Sequence, residues 1–534
     1  MIHFFVFLLK KKLKKEIPFI MKKLPIGIQD FEKLRTTGFL YVDKTERIFD
    51  LVDGAGYYFL SRPRRFGKSL LVSTLKEIFS GKKELFEGLW IEDKIDWKKH
   101  PVIHFSFTEM DYKNLGLEKA IEENLFYQAS LFEINLDSET ITSQLQELVR
   151  KLHKKFDERV VILIDEYDKP IIDFLGKDEI HIAAENRDIM KNFYSPIKSL
   201  DPHLRFFFLT GVSRFSKVSI FSDLNNLNDI SLGGSSSDLL GYTEQEILNY
   251  FDDYITITAK ANEISENKLL DQMRSWYNGY NFDGANKIYN PFSVLNFFDK
   301  QKFNNYWFKT GTPTFLIKLL EENEYYNIEE IETSLDALEK FEITNLNPIV
   351  ILFQTGYFTI KKHLIADIYL LGYPNKEVRR SMNQLLLAEY TKKETTHTTN
   401  LIYQITKSFD KNELDKVFVH LNSLFASIPY QIFETKKENY YHSIIYLTFK
   451  LLGYYTQSEV STSEGRIDAV VQTENNIYIL EFKVNDTAEK AIEQIKNKNY
   501  TEKYKAEKEN GKTIYIIGVA CNEKTIKEYL IEKI

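Results

Sequence analysis

Short apolar runs recur between residue 21 and about residue 232, separated by longer stretches whose apolar residues return every three or four positions. The runs 57–60, 102–107, 160–164 and 205–210 have strand length and little polar alternation, and 229–232 is a fifth candidate. A strand that is apolar on both faces is buried on both, as in a parallel sheet covered by helices. The pattern therefore predicts an α/β domain over 21–235, with its ligand at the carboxyl ends of the strands. Gly233-Gly234-Ser235-Ser236-Ser237 is the clearest break in the chain. Beyond it Thr243, with Glu246 three residues on, has the form of a helix start. Helix-period spacing then runs on, predicting a helical lid or middle region over 236–425. Within it, Tyr277-Asn278-Gly279-Tyr280 and Tyr289-Asn290-Pro291 read as aromatic turns, either ordinary packed turns or a wall for a ligand.

The loop after the first run, Ser61-Arg62-Pro63-Arg64-Arg65-Phe66-Gly67-Lys68-Ser69, opens a helix. Gly67 lets the backbone approach phosphates closely, Lys68 reaches their β and γ oxygens, and the Ser69 hydroxyl suits magnesium. Arg62 stands where the general pattern has its first glycine, and Arg65 adds a cation beside the nucleotide. The run 160–164 ends in Asp165-Glu166-Tyr167-Asp168. Paired with the loop upstream, it reads as a Walker B strand: Asp165 holds the magnesium shell and Glu166 orients or deprotonates the attacking water. At the tip of the run 205–210, Thr210 or Ser213 could sense a γ-phosphate and Arg214 could touch its charge.

A second chemical centre lies near the other end, in Ile467-Asp468-Ala469-Val470-Val471 and Ile477-Tyr478-Ile479-Leu480-Glu481-Phe482-Lys483. Strand side chains alternate, so Glu481 and Lys483 share a face. An acid and a base two apart usually mark a solvated face. Here four apolar residues precede Glu481 and Phe482 follows it, which argues for burial, and buried charge is expensive. With the two strands side by side, Asp468 and Glu481 supply hard oxygens for a divalent metal, and Lys483 a cation near a scissile phosphate.

This arrangement resembles the PD-(D/E)XK nuclease superfamily, with Gly465-Arg466-Ile467-Asp468 in place of the proline motif. The resemblance implies a restriction-endonuclease-like α/β domain over 426–534: helix 439–452, a meander through 454–461, 466–472 and 476–484, helix 487–500 and strand 513–520. It also implies that Gln494, with Tyr500, lies near the metal. Leu24-Pro25-Ile26-Gly27-Ile28-Gln29-Asp30-Phe31, the Ser61-to-Ser69 loop, Tyr277-Asn278-Gly279-Tyr280 and the Asp468/Glu481/Lys483 set together look like a bacterial family pairing an AAA-ATPase-like domain with such a nuclease domain. From that resemblance, ATP and Mg2+ are the implied cofactors, with Mn2+ an alternative at the nuclease site.

Composition narrows the setting. With 534 residues the chain has room for two to four domains, and its net charge of −7 excludes a wholly basic nucleic-acid coat. Any DNA contact must be local, and Lys496, Lys498, Lys503 and Lys505 are candidates. The single cysteine, Cys521, excludes an intrachain disulfide and fits a reducing cytoplasm. The apolar start of residues 1–9 is too short to span a bilayer, and residues 1–20 read as an extension or misread start. The reading that results is an ATP-dependent, metal-dependent DNA nuclease without a membrane segment, with self-association implied by analogy alone. Its rivals are a catalytically inactive nucleotide switch and a remodelling ATPase that binds DNA or protein.

Overall fold

The structure is a computed structural model. It describes residues 21–534 except 55, 177, 215–223, 225, 234–235, 309–315, 318, 321–329, 340–345, 427–436, 454–456, 464–465 and 522–524, and not the side chains of 339, 437–442, 457–463 and 466–468. The extension 1–20, and Gly234 and Ser235 of the expected break, lie outside the described residues. The chain divides into two compact units: the chain through Trp307 with Glu332–Asn375, and Phe308–Ile331 with Lys376–Ile534.

The first unit is built on five parallel strands, β1 (Tyr57–Ser61), β2 (Val102–Ser106), β3 (Val160–Asp165), β4 (Leu204–Gly211) and β5 (Leu227–Asp229). Their spatial order is β2-β3-β4-β1-β5. Every residue of β3 is buried, because the strand has a neighbour on each edge and packing on both faces. The helix Lys68–Phe79 lays Leu71, Val72, Leu75 and Ile78 on Leu60, Val161, Leu163 and Phe206. Burying each such side chain contributes about 1.5–3 kcal/mol. The fifth strand begins two residues before its expected position. β5 pairs with Tyr57–Phe59, and past Asp229 the chain turns so that the Ile230 N–H donates to the Phe59 carbonyl at 3.0 Å.

The helices Glu244–Tyr250, Asp252–Ala261, Glu266–Tyr277 and Pro291–Lys300 pack around Phe251, Met273, Tyr277 and Phe297. The first is capped as expected: Glu246 N–H donates to the Thr243 hydroxyl at 3.2 Å and Thr243 N–H to the Glu246 carboxylate at 2.8 Å. The stretch 236–425 departs from a continuous helical lid in two ways. It contains a small sheet of β6 (Ile331–Ser334), β7 (Thr359–Ile365) and β8 (Ile368–Gly372), and it is divided between the two units. Most of β7 is exposed, so no alternation of buried and polar positions announces it. The described part of the Gly/Ser break is packed: Ser236 is buried and its hydroxyl donates to the Ile230 carbonyl at 2.5 Å.

In the second unit the helix Lys437–Leu452 precedes β9 (Gln457–Ser463), β10 (Arg466–Gln472) and β11 (Asn476–Val484), an antiparallel meander. The helix Ala488–Asn497 crosses over to β12 (Thr513–Cys521), which lies parallel to β11, and β13 (Ile526–Lys533) closes the order β13-β12-β11-β10-β9. β13 is not among the expected strands: it is an edge strand whose Lys and Glu residues interrupt its apolar ones. Ile492 and Ile495 of the crossover helix pack on Ile477, Ile479, Ile514 and Ile516. Gly518 permits this approach, because a Cβ there would lie 2.2 Å from the Ala488 carbonyl oxygen. Among the described residues no helix is long and apolar enough to cross a membrane.

The clash at Gly518 is with backbone, so Gly518→Ala is expected to lower stability by about 1–3 kcal/mol, read as a lower urea midpoint with an unchanged slope.

Candidate functional site

In the first unit the helix Lys68–Phe79 starts at Gly67, whose φ of 97° is left-handed and suits glycine. The loop before it turns its carbonyls inward, and the Lys68 ammonium donates to those of Arg62 at 3.0 Å and Pro63 at 3.1 Å. Burial holds this ammonium below the usual lysine pKa, opposed by Glu166, Asp165 and Asp168. Asp165 closes β3 and is buried, which raises its carboxyl pKa against the pull of Ser69 and Lys68. Its Oδ1 is buried without a hydrogen-bond partner. An orphaned carboxylate oxygen beside a serine hydroxyl is a hard-oxygen set that fits magnesium. Glu166 holds a left-handed φ of 52°, a strain of about 1–3 kcal/mol, and its carboxylate accepts from the Thr108 hydroxyl at 2.5 Å.

The structure thus gathers Lys68, Ser69, Asp165 and Glu166. It engages the other expected nucleotide contacts with protein groups. The Thr210 hydroxyl donates to the Leu60 carbonyl at 2.7 Å, Arg214 pairs with Asp229 at 2.6 Å, and the Arg65 guanidinium lies 4.0 Å over the Phe292 ring. Arg62, the departure from the general loop pattern, is buried. Its guanidinium donates to the carbonyls of Ser61, Ser231 and Ser236, stacks 4.3 Å from the Phe282 ring, and is lowered by burial to a pKa of about 9. The Tyr277-to-Tyr280 turn reaches this loop as well, with the Tyr280 ring 4.8 Å from that of Phe66.

Asp168 is not among the expected site residues. It is buried, and its Oδ2 accepts from the Val212 N–H at 2.9 Å, the Ser213 N–H at 2.6 Å and the Ser213 hydroxyl at 2.6 Å. Burial raises its carboxyl pKa and the Ser213 bonds lower it. A Cβ at Gly211 would lie 2.5 Å from Asp168 Oδ1, so that glycine admits the carboxylate. The available signal was the third acid of the Asp165-to-Asp168 run, paired with a glycine at the end of β4.

In the second unit Asp468 of β10 stands directly opposite Glu481 of β11, and such cross-strand partners share a face of the sheet. The side chain of Asp468 lies outside the described residues. Glu481 has 0% exposure, and the Lys483 ammonium is 3.6 Å from its Oε1. Attraction at that distance returns about 4 kcal/mol at an effective dielectric near 20, while burying each ion costs several kcal/mol. The lysine offsets part of the cost of burying the carboxylate, and Glu481 with Asp468 opposite is a hard-oxygen pair of the kind that fits a divalent cation. Lys483 also donates to Gln494 Oε1 at 2.5 Å, which fixes the ammonium from the crossover helix, while Gln494 Nε2 is buried without a partner. Of the expected basic patch, Lys496 pairs with Glu532 and Lys505 with Glu502, so part of that charge is already neutralised.

If Glu481 carries a metal, its removal should uncouple stability from the cation. Without nucleotide, Mn2+ should raise the melting temperature of the wild type and of Asp165→Asn, but leave Glu481→Gln unmoved within about 1 °C. By differential scanning fluorimetry Glu481→Gln should lie at or below the wild type in chelator, since it leaves the Lys483 ammonium without its ion partner.

Residues 25–221 match the family described as "Predicted AAA-ATPase", and residues 436–529 match the PD-(D/E)XK nuclease superfamily. The chain is 40% identical over 531 residues to an "Uncharacterized protein in vnfD 5'region" of Azotobacter chroococcum mcd 1, covering 96% of this chain and 99% of that one. Two domain matches in the order of the two sites, and a relative aligned from end to end, lead to one assignment: the chain belongs to a family that joins a predicted AAA-ATPase domain to a C-terminal domain of the PD-(D/E)XK nuclease superfamily.

Proposed function

We propose that this protein binds and hydrolyses ATP in its first unit and that the nucleotide controls metal-dependent cleavage of DNA by its second. The observation that carries the reading is the fully buried Glu481 carboxylate, 3.6 Å from Lys483 and directly across the sheet from Asp468.

Lys68 and the helix start after Gly67 bind the phosphates, and Lys68 then exchanges its loop carbonyls for phosphate oxygens. Ser69 and Asp165 would hold magnesium, which supplies charge neutralisation to those oxygens when bound. Glu166, held by Thr108, orients the attacking water and takes its proton. In the nuclease unit Asp468 and Glu481 would hold Mg2+ or Mn2+, which lowers the pKa of a bound water and offsets charge on the phosphate. Lys483 steadies the attacking water or the phosphate oxygens, and Gln494 keeps its ammonium in place.

Plasmid and linear DNA incubated with Mg2+ or Mn2+, with and without ATP, test this directly. Asp468→Ala should lose cleavage by about 100-fold or more while keeping ATP turnover, and Lys68→Ala should lose turnover and the ATP dependence of cleavage together. Cleavage indifferent to ATP and to Lys68→Ala would separate the two activities. Turnover without any cleavage would instead identify a remodelling ATPase.

A further inference from the structure

The chain passes between the units after Trp307, Ile331 and Asn375, so Glu332–Asn375 belongs to the nucleotide-binding unit while the chain on either side of it belongs to the other. Part of this inserted segment rests directly on the phosphate site. The Arg214 N–H, at the end of the loop that Asp168 holds, donates to Gln354 Oε1 at 2.8 Å, and Gln354 Nε2 donates to the Leu338 carbonyl at 3.0 Å. Two residues on, Gly356 has a φ of 87°, and a Cβ there would lie 2.4 Å from Pro63 Cγ in the nucleotide loop. Trp307, the last residue before the first crossing, donates its indole N–H to the Arg64 carbonyl at 2.8 Å, and its ring lies 5.2 Å from that of Tyr357.

From these contacts we propose that Gln354, Gly356 and Trp307 form a relay that passes the state of the phosphate site to the chain leaving the unit, with Gln354 as its central link. The proposal rests on the ATP-controlled reading above and names how that control leaves the first unit. Gln354 is 6% exposed, where an aliphatic side chain would be the ordinary occupant. An amide in that place, bonded at both ends, fixes one geometry between the tip of β4 and the helix after β6. The contacts reach both the loop that wraps phosphates, at Pro63 and Arg64, and the strand tip beside Asp165 and Glu166. Movement of either on binding or hydrolysis must displace the inserted segment, because packed interfaces shift between discrete arrangements rather than deforming smoothly. The family match to the ATPase ends at residue 221, so the segment lies outside it.

Hydrogen exchange on the full-length protein, with and without Mg2+ and a non-hydrolysable ATP analogue, tests the relay independently of DNA cleavage. In the wild type the analogue should slow exchange over 348–357 by about tenfold. Gln354→Leu should bind the analogue within about threefold of the wild type yet lose that slowing, along with the effect of ATP on cleavage. Gln354→Glu retains the acceptor for Arg214 and loses the donor to Leu338, and Trp307→Phe removes the indole donor. Both should weaken the response in part, and they replace Gln354→Leu if that variant fails to fold. Analogue bound with unchanged exchange over 348–357, or a full response retained in Gln354→Leu, overturns the relay alone. No nucleotide binding by the wild type overturns the ATP reading and the relay with it.

Discussion

The placement of β4 between β1 and β3 is the constraint on which the N-terminal site depends. Its register sets Thr210 beside Leu60 and Gly211 beside Ser61, while Leu209 lies beside Ile164. The three strands therefore end at one level, and the loop leading to Gly67, the Asp165-Glu166 pair and the tip of β4 meet there. The junction is held by groups that tolerate little change. The Tyr167 N–H donates to the Thr210 carbonyl at 3.1 Å, its hydroxyl to the Ser213 carbonyl at 3.1 Å, and Asp168 takes three donors from Val212 and Ser213. A buried carboxylate satisfied this fully rigidifies its surroundings.

The nuclease unit solves a different problem with similar means. A carboxylate in the middle of a sheet must be compensated from its own face, and two neighbours of Glu481 make that possible. Lys483 brings the ammonium from the same strand, and Gln494 reaches it from the crossover helix. The helix can approach because the residue beside Glu481 on β12 is Gly518. Glycine on one strand and an acid on its neighbour are thus parts of one site, although they lie far apart in the chain.

Arg62 shows how a departure from a general pattern can be read only in three dimensions. In place of a glycine whose use is freedom, this loop has a guanidinium that binds the loop to the chain beyond β5 and to the aromatic turn around Phe282. The loop is consequently braced from several sides: by Arg62, by Tyr280 against Phe66, and by Trp307 at the Arg64 carbonyl. Such bracing limits the conformations the loop can adopt.

Local pattern was enough to determine the apolar strands, the loop ending in Gly67-Lys68-Ser69, the acids closing β3, and the spacing of Asp468, Glu481 and Lys483, because each follows from side-chain periodicity within one short segment. It missed the sheet β6-β8-β7, whose long strand β7 is mostly exposed, and the edge strand β13, whose Lys and Glu residues interrupt its apolar ones. Strand order, the role of Asp168, and the commitment of Thr210, Arg214 and Arg65 to Leu60, Asp229 and Phe292 were decided only by tertiary structure. The physical reason is that hydrogen-bond partners and buried charges are settled by segments distant in the chain. A sequence states which groups are available, and the packing of those segments determines which of them meet.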